Sequence, residues 1–451
     1  MIPQPAVKHV TLIFACLAML AIFFNQATYN TVSLAFLLFA VGLFISYKSV
    51  LQAIVQPYRG FFVLLMVYFI LYQVINLYHL GLEDYWYAFK RSRWVLYAAF
   101  FVPLGIFLFR EGISGFYRRT GVYLYLFCLL LVGLIFYDSF TRLAFDEAST
   151  ALWWKTSDNH LEGSRVSWTY NPIPFSQLAF FAALVFYAIF YCAEHRGLRY
   201  SALSVCVGML AVVIFSQTRA SWLALLVMSC ILLLFSKKTS FFIIAIFFAV
   251  IFSAEAFTKH DLLKRFLSIQ EIENNQSNVA RLEFWKANIK LSADHPWLGV
   301  GYAASRTPSV IDPYLHRFTE DEDVLYQHPH NEYLDHLSGM GAPALVLFIS
   351  ILFWPLLIAL NLLRRAPPNT PMLWLSFCKN KCSRQQSYYA LTERQYYLAV
   401  LAFCHLIFML IAAFFDKLTL VSWSTIIFCW ALIFYLHDQL RQVEVTGKIP
   451  S

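Results

Sequence analysis

Charge is scarce in this 451-residue chain: Asp, Glu, Lys and Arg make up 13% of it, against roughly 25% in an ordinary soluble domain. That scarcity excludes a conventional soluble globule. Weak alternating segments of about 10 residues are also missing, which excludes a transmembrane β-barrel. No disulfide framework is implied, because Cys16, Cys128, Cys192, Cys206, Cys230, Cys404 and Cys429 lie in or beside apolar runs and no cysteine falls in the segments expected outside. Cys378 and Cys382 are metal-ligand types, but two thiols alone make no site. No internal repeat and no detachable soluble domain is visible.

What is present is apolar sequence, 60% hydrophobic and 18% aromatic, in runs of about 15 to 20 residues. That is the length an α-helix needs to cross about 30 Å of hydrocarbon. The expected fold is an all-α integral membrane protein, a single polytopic unit over residues 1–451 with about twelve transmembrane helices. They centre near residues 17, 39, 69, 101, 129, 183, 208, 228, 248, 352, 405 and 427. The first is expected to be a retained helix, since only Lys8 precedes it and no small-residue cleavage site follows. Lys and Arg in short loops concentrate on one side, from Lys48 and Arg59 through Arg118, Arg119, Lys237 and Lys238 to Arg441. By the positive-inside rule both termini and the 363–395 loop are expected to be cytoplasmic, and the long 257–342 loop extracytoplasmic. Lys90, Arg91 and Arg93 fall on the wrong side and suggest a short interfacial helix, flanked by Trp86, Tyr87 and Trp94. The net charge of +8 follows from residues flanking the spans, so no nucleic-acid partner is implied.

Residues 257–342 are the one long polar interruption, and function is expected there. Within them, Val279 to Leu291 places Leu282, Trp285 and Ile289, with Phe284 beside them, at helical spacing. An amphipathic helix lying on the bundle or the bilayer is expected, stopped by His295-Pro296, after which Gly299 and Gly301 permit a tight backbone path; a hinge at His295-Pro296 and Gly299 could open it to two large amphiphiles. The acidic run Glu320 to Asp323 reads as a solvated loop tip, with cation binding as the alternative. Four histidines, His316, His328, His330 and His336, stand near Glu332 and Asp335. Their spacing matches no familiar zinc pair, and one histidine as general base is the other use of such a cluster.

Arg219 sits in Phe215-Ser-Gln-Thr-Arg-Ala-Ser-Trp222, between two apolar runs. A guanidinium so near hydrocarbon is costly unless it faces water or an anion, and Ser216, Gln217, Thr218 and Ser221 add hydrogen-bonding groups at the same depth. Together with Arg281 it could hold a pyrophosphate through bidentate bonds.

Thr218-Arg219-Ala-Ser, His295-Pro-Trp-Leu-Gly-Val-Gly301 and His330-Asn-Glu-Tyr-Leu334 with Gly339 and Gly341 together resemble the O-antigen ligase family of bacterial inner membranes. The family shares this signature region with some O-antigen polymerases. The resemblance implies a GT-C-like, metal-independent, inverting glycosyltransferase without cofactor. It would move a glycan from undecaprenyl pyrophosphate to a sugar hydroxyl of the lipid A core, at the periplasmic face of the inner membrane. On motif match, Arg219 and Arg281 would bind the pyrophosphate and His330 would be the catalytic histidine. Asp416 and Arg165 are looser matches, Asn331 lies inside the motif, and Pro329 makes His328 a rival for His330. A polymerase using the same donor is the main alternative. A lipid-linked oligosaccharide transporter fits less well, because the polar groups concentrate outside the spans.

Overall fold

A computed structural model describes residues 34, 35, 37–43, 45, 48–110, 172–216, 218–233, 237–257, 276–302, 307–318, 329–365 and 391–446. Among the described residues the helices are α1 (Lys48–Val55), α2 (Arg59–His79), α3 (Leu82–Arg110), α4 (Pro172–Cys192), α5 (Arg196–Phe215) and α6 (Arg219–Leu232). They continue as α7 (Lys237–Phe257), α8 (Gln276–Asp294), α9 (Pro308–Leu315), α10 (Glu332–Arg364), α11 (Glu393–Ala412) and α12 (Leu420–Thr446).

Among the described residues six stretches are long and apolar enough to cross a membrane: Lys48–His79, Asp84–Arg110, Ile173–Cys192, Arg196–Phe215, Glu332–Arg364 and Glu393–Ala412. Arg219–Ile231 and Phe241–Ser253 are apolar but shorter. The chain is therefore a multi-pass helical membrane protein. The expected spans near 17 and 129 lie outside the described residues, as do Arg165, Gln217, His328 and the acidic run 320–323.

Helix α11 is the hub, packing against α4, α6, α10 and α12. Its sequence suits that place, because Ala399, Ala402 and Cys404 let neighbours approach while Phe403, Phe408 and Met409 fill the gaps between them. A helix buried on several sides has no polar face to spare. Aromatic stacks tie the bundle together: Phe180 on Phe408 at 4.2 Å and Trp94 on Trp423 at 3.8 Å between centroids.

That second stack replaces the expected interfacial helix. No glycine or proline interrupts residues 82–102, so α3 runs through Lys90 to Arg93 without a break. Trp94 is core, 3% exposed, rather than a headgroup anchor.

The buried face of α8 also differs from the expected one. Phe284, Ala287 and Leu291 are buried against Ile311 and Leu315 of α9, whereas Leu282 and Ile289 are 37% and 55% exposed. The i, i+3, i+7 row with alanine at its centre permits close packing on α9 and α10, and Leu282 and Ile289 face away. Asn288 and Ser292 lie beside that face and are buried too. They donate to the carbonyls of Phe284 and Asn288 in their own helix, which offsets their desolvation.

Residues 295–302 dock on a break in α10. Pro343 has no N–H, so the carbonyl of Gly339 lacks its helical donor, and Gly301 N–H donates to it instead at 2.8 Å. Val300 N–H donates to Ser338 O and Ala342 N–H to Pro296 O, so three backbone bonds cross between the segments. Gly341 adopts φ 80° at the break, and a Cβ there would stand 2.2 Å from the Trp297 carbonyl oxygen. The tight backbone path expected of Gly299 and Gly301 is present, and the two backbones press together at a crossing. Asn76 of α2 extends it, accepting from Tyr302 N–H and donating to Tyr72 O and to Met340 Sδ.

Candidate functional site

Four elements deliver one charged cluster. Arg219 is the first residue of α6, placed after Thr218, whose hydroxyl pairs with Ser216 rather than capping the helix. Arg281 stands on α8. His330 immediately precedes the Asn331 cap of α10. Asp416 ends the tight turn that closes α11, where Asp416 N–H donates to Ala412 O.

His330 is held at φ 48°, the one positive φ of a non-glycine residue among the described residues. Such a backbone costs about 1 kcal/mol or more and persists only where its surroundings enforce it. Here they do. Asn331 Oδ1 accepts from Tyr333 N–H and Leu334 N–H, fixing the first turn of α10, and Trp285 Nε1 of α8 donates to Pro329 O at 2.6 Å. The imidazole is thus clamped from both sides in sequence. Its Nδ1 lies 3.1 Å from Asp416 Oδ1. With Asp416 ionised, Nδ1 donates and the ring's lone pair resides on Nε2. That orients a histidine as a proton acceptor, with the carboxylate ready to stabilise the imidazolium that forms.

Arg281 is half-buried, and loss of water pushes its pKa below arginine's ordinary value. The Asp416 carboxylate opposes that shift and the Arg219 guanidinium adds to it, so Arg281 feels both residues. Two guanidiniums close enough to repel form a site whose electrostatic cost an incoming polyanion would relieve.

Several expected residues have other partners. His336 points into the bundle, where Nδ1 meets Glu332 O, Nε2 meets the Tyr68 hydroxyl at 2.7 Å, and the ring stacks on Phe348 at 3.9 Å. His316 is an exposed residue at the end of α9. The side-chain oxygen of Asn331 works as a helix cap. Among the described residues no three His, Cys, Asp or Glu side chains group as metal ligands would. Sequence reasoning names Glu332 beside the histidines and Trp285 on the helical pattern but gives neither its partner, and it does not pair the 295–302 segment with the break in α10, for which Pro343, four residues after Gly339, was a signal.

Residues 204–349 match the family described as O-antigen ligase. The chain is similar to O-antigen ligases over this stretch. It spans α5 through the first half of α10 and includes Arg219, Arg281 and His330, while Asp416 lies beyond it. No curated protein matches the chain.

Proposed function

We propose that the protein is an O-antigen ligase of GT-C-like architecture in the bacterial inner membrane. Its 257–342 segment and active site face the periplasm, and its termini and the 363–395 loop face the cytoplasm. It transfers a glycan from undecaprenyl pyrophosphate to a sugar hydroxyl of the lipid A core, with inversion and without a metal. The observation that carries this reading is the convergence of two arginines, a histidine and an aspartate beside a membrane bundle, within and next to the matched stretch.

The chemistry runs in one displacement. His330 Nε2 takes the proton of the acceptor hydroxyl as its oxygen bonds to the anomeric carbon, and Asp416 stabilises the resulting imidazolium. The bond from that carbon to the pyrophosphate oxygen breaks with its electron pair. Arg219 and Arg281 take up the charge on the lipid pyrophosphate, which leaves as an anion and needs no general acid. The proton on His330 passes to solvent before the next turnover.

Expression in a bacterium lacking its own ligase tests the reading. Restored smooth lipopolysaccharide supports it. Single repeat units on lipid A core, in a host that lacks a polymerase instead and is then restored to long chains, would show a polymerase; no effect in either host would reject both.

A further inference from the structure

Glu332 is 5% exposed, two residues after His330, and makes two bonds to one turn. Its backbone N–H donates to Ala413 O at 2.8 Å, and its Oε2 accepts from Leu418 N–H at 2.9 Å. Asp416 lies between those two attachment points. We infer that Glu332 is a positioning residue, which grips the 413–418 turn at both ends and so fixes Asp416 against the His330 imidazole. The inference rests on the reading of His330 as base.

The two bonds are unequal in what can be removed. The bond to Ala413 O is backbone and survives any side-chain change. Tyr333 adds a second hold on that end, its hydroxyl donating to Leu410 O at 2.9 Å. The Leu418 end has the Glu332 carboxyl. Burying that carboxyl is costly unless it is bonded, and Leu418, itself 5% exposed, supplies the donor. Truncating Glu332 therefore releases the Leu418 end of the turn while leaving α10 and α11 joined at Ala413. Asp416 then loses its fixed register with Nδ1. A displacement of order 1 Å in such a site lowers turnover by roughly 100-fold. Donor binding is assigned to Arg219 and Arg281, and the charges that Arg281 feels are those of Asp416 and Arg219.

The test compares Glu332→Ala with Glu332→Gln in the full-length protein in nanodiscs. The glutamine keeps an acceptor oxygen at the same reach. Glu332→Ala is expected to lower kcat at least about tenfold with the donor KM within about twofold, and Glu332→Gln to recover kcat to within about threefold of the parent. Hydrogen exchange at the Leu418 amide is expected to accelerate in Glu332→Ala and not in Glu332→Gln. If the alanine variant fails to accumulate, Glu332→Asp, which draws the acceptor back by about 1.5 Å, takes its place. A glutamine variant as defective as alanine, unchanged kcat in Glu332→Ala, or a loss confined to donor KM would each overturn the inference. Were the parent protein itself to transfer no glycan, the ligase reading would fall, and the exchange rate at Leu418 would still decide whether Glu332 holds the turn.

Discussion

The bundle around α11 and the crossing of residues 295–302 over α10 are built on opposite terms. In the bundle, stability is spread over many apolar contacts, such as those of Leu406, Phe408 and Met409 on a helix packed among four neighbours, and no single one decides the geometry. At the crossing, three backbone hydrogen bonds and the missing Cβ atoms of Gly299 and Gly341 fix the arrangement. The difference teaches where tolerance ends. Volume-conserving change is absorbed below the site, whereas one methyl group added above it has nowhere to go.

His330→Ala is the most severe break of the site side of this contrast. Transfer should fall by at least about 100-fold while the protein still accumulates in the membrane at the parent level. Rates from purified lipid-linked donor, with detergent-solution chromatography as the check on folding, measure both. Gly341→Ala comes next. Its Cβ would meet backbone at 2.2 Å in a φ of 80°, so a loss of about 3 kcal/mol or more is expected, with activity lost through the displaced crossing. Gly81→Ala, where nothing lies within 4 Å of the added carbon, serves as the matched control and should be silent.

Arg281→Lys keeps the charge and loses the fork. A rise of about tenfold in donor KM is expected in steady-state kinetics, because an ammonium cannot reproduce the bidentate contact. Trp285→Phe removes the bond to Pro329 O and keeps the ring, a change of about 1 kcal/mol that should appear as a several-fold loss of rate. Leu406→Met in the bundle should be the mildest, within about 1 kcal/mol in stability and without effect on transfer. A large effect of Leu406→Met would erase the contrast.

Much of this was legible in the sequence, for identifiable reasons. Spans announce themselves through composition, so the helices around residues 69, 101, 183, 208, 352 and 405 fall where hydropathy put them. Arg219 and Arg281, more than 60 residues apart in sequence, were paired by their chemistry and by the motif resemblance, and the structure places Arg281 within electrostatic reach of Arg219 and of Asp416. On α8 the helical pattern pointed to Phe284, which is buried, but not to Ala287, because large residues dominate such a pattern while close packing favoured the alanine. Gly299 and Gly301 were read as a tight local path, without a partner for it. Their partner is a proline-broken helix about 40 residues on, and long-range backbone pairing leaves no local pattern. Glu332 was noticed beside the histidines, but its partners were not legible for the same reason, since its bonds reach residues more than 80 positions away.

The most direct measurement is in vitro transfer from a lipid-pyrophosphate glycan to purified lipid A core, in EDTA, by the parent protein and by His330→Ala. The account predicts product from the parent, unaffected by the chelator, and none from the variant. Full activity of His330→Ala, or loss of parent activity in EDTA, would contradict it.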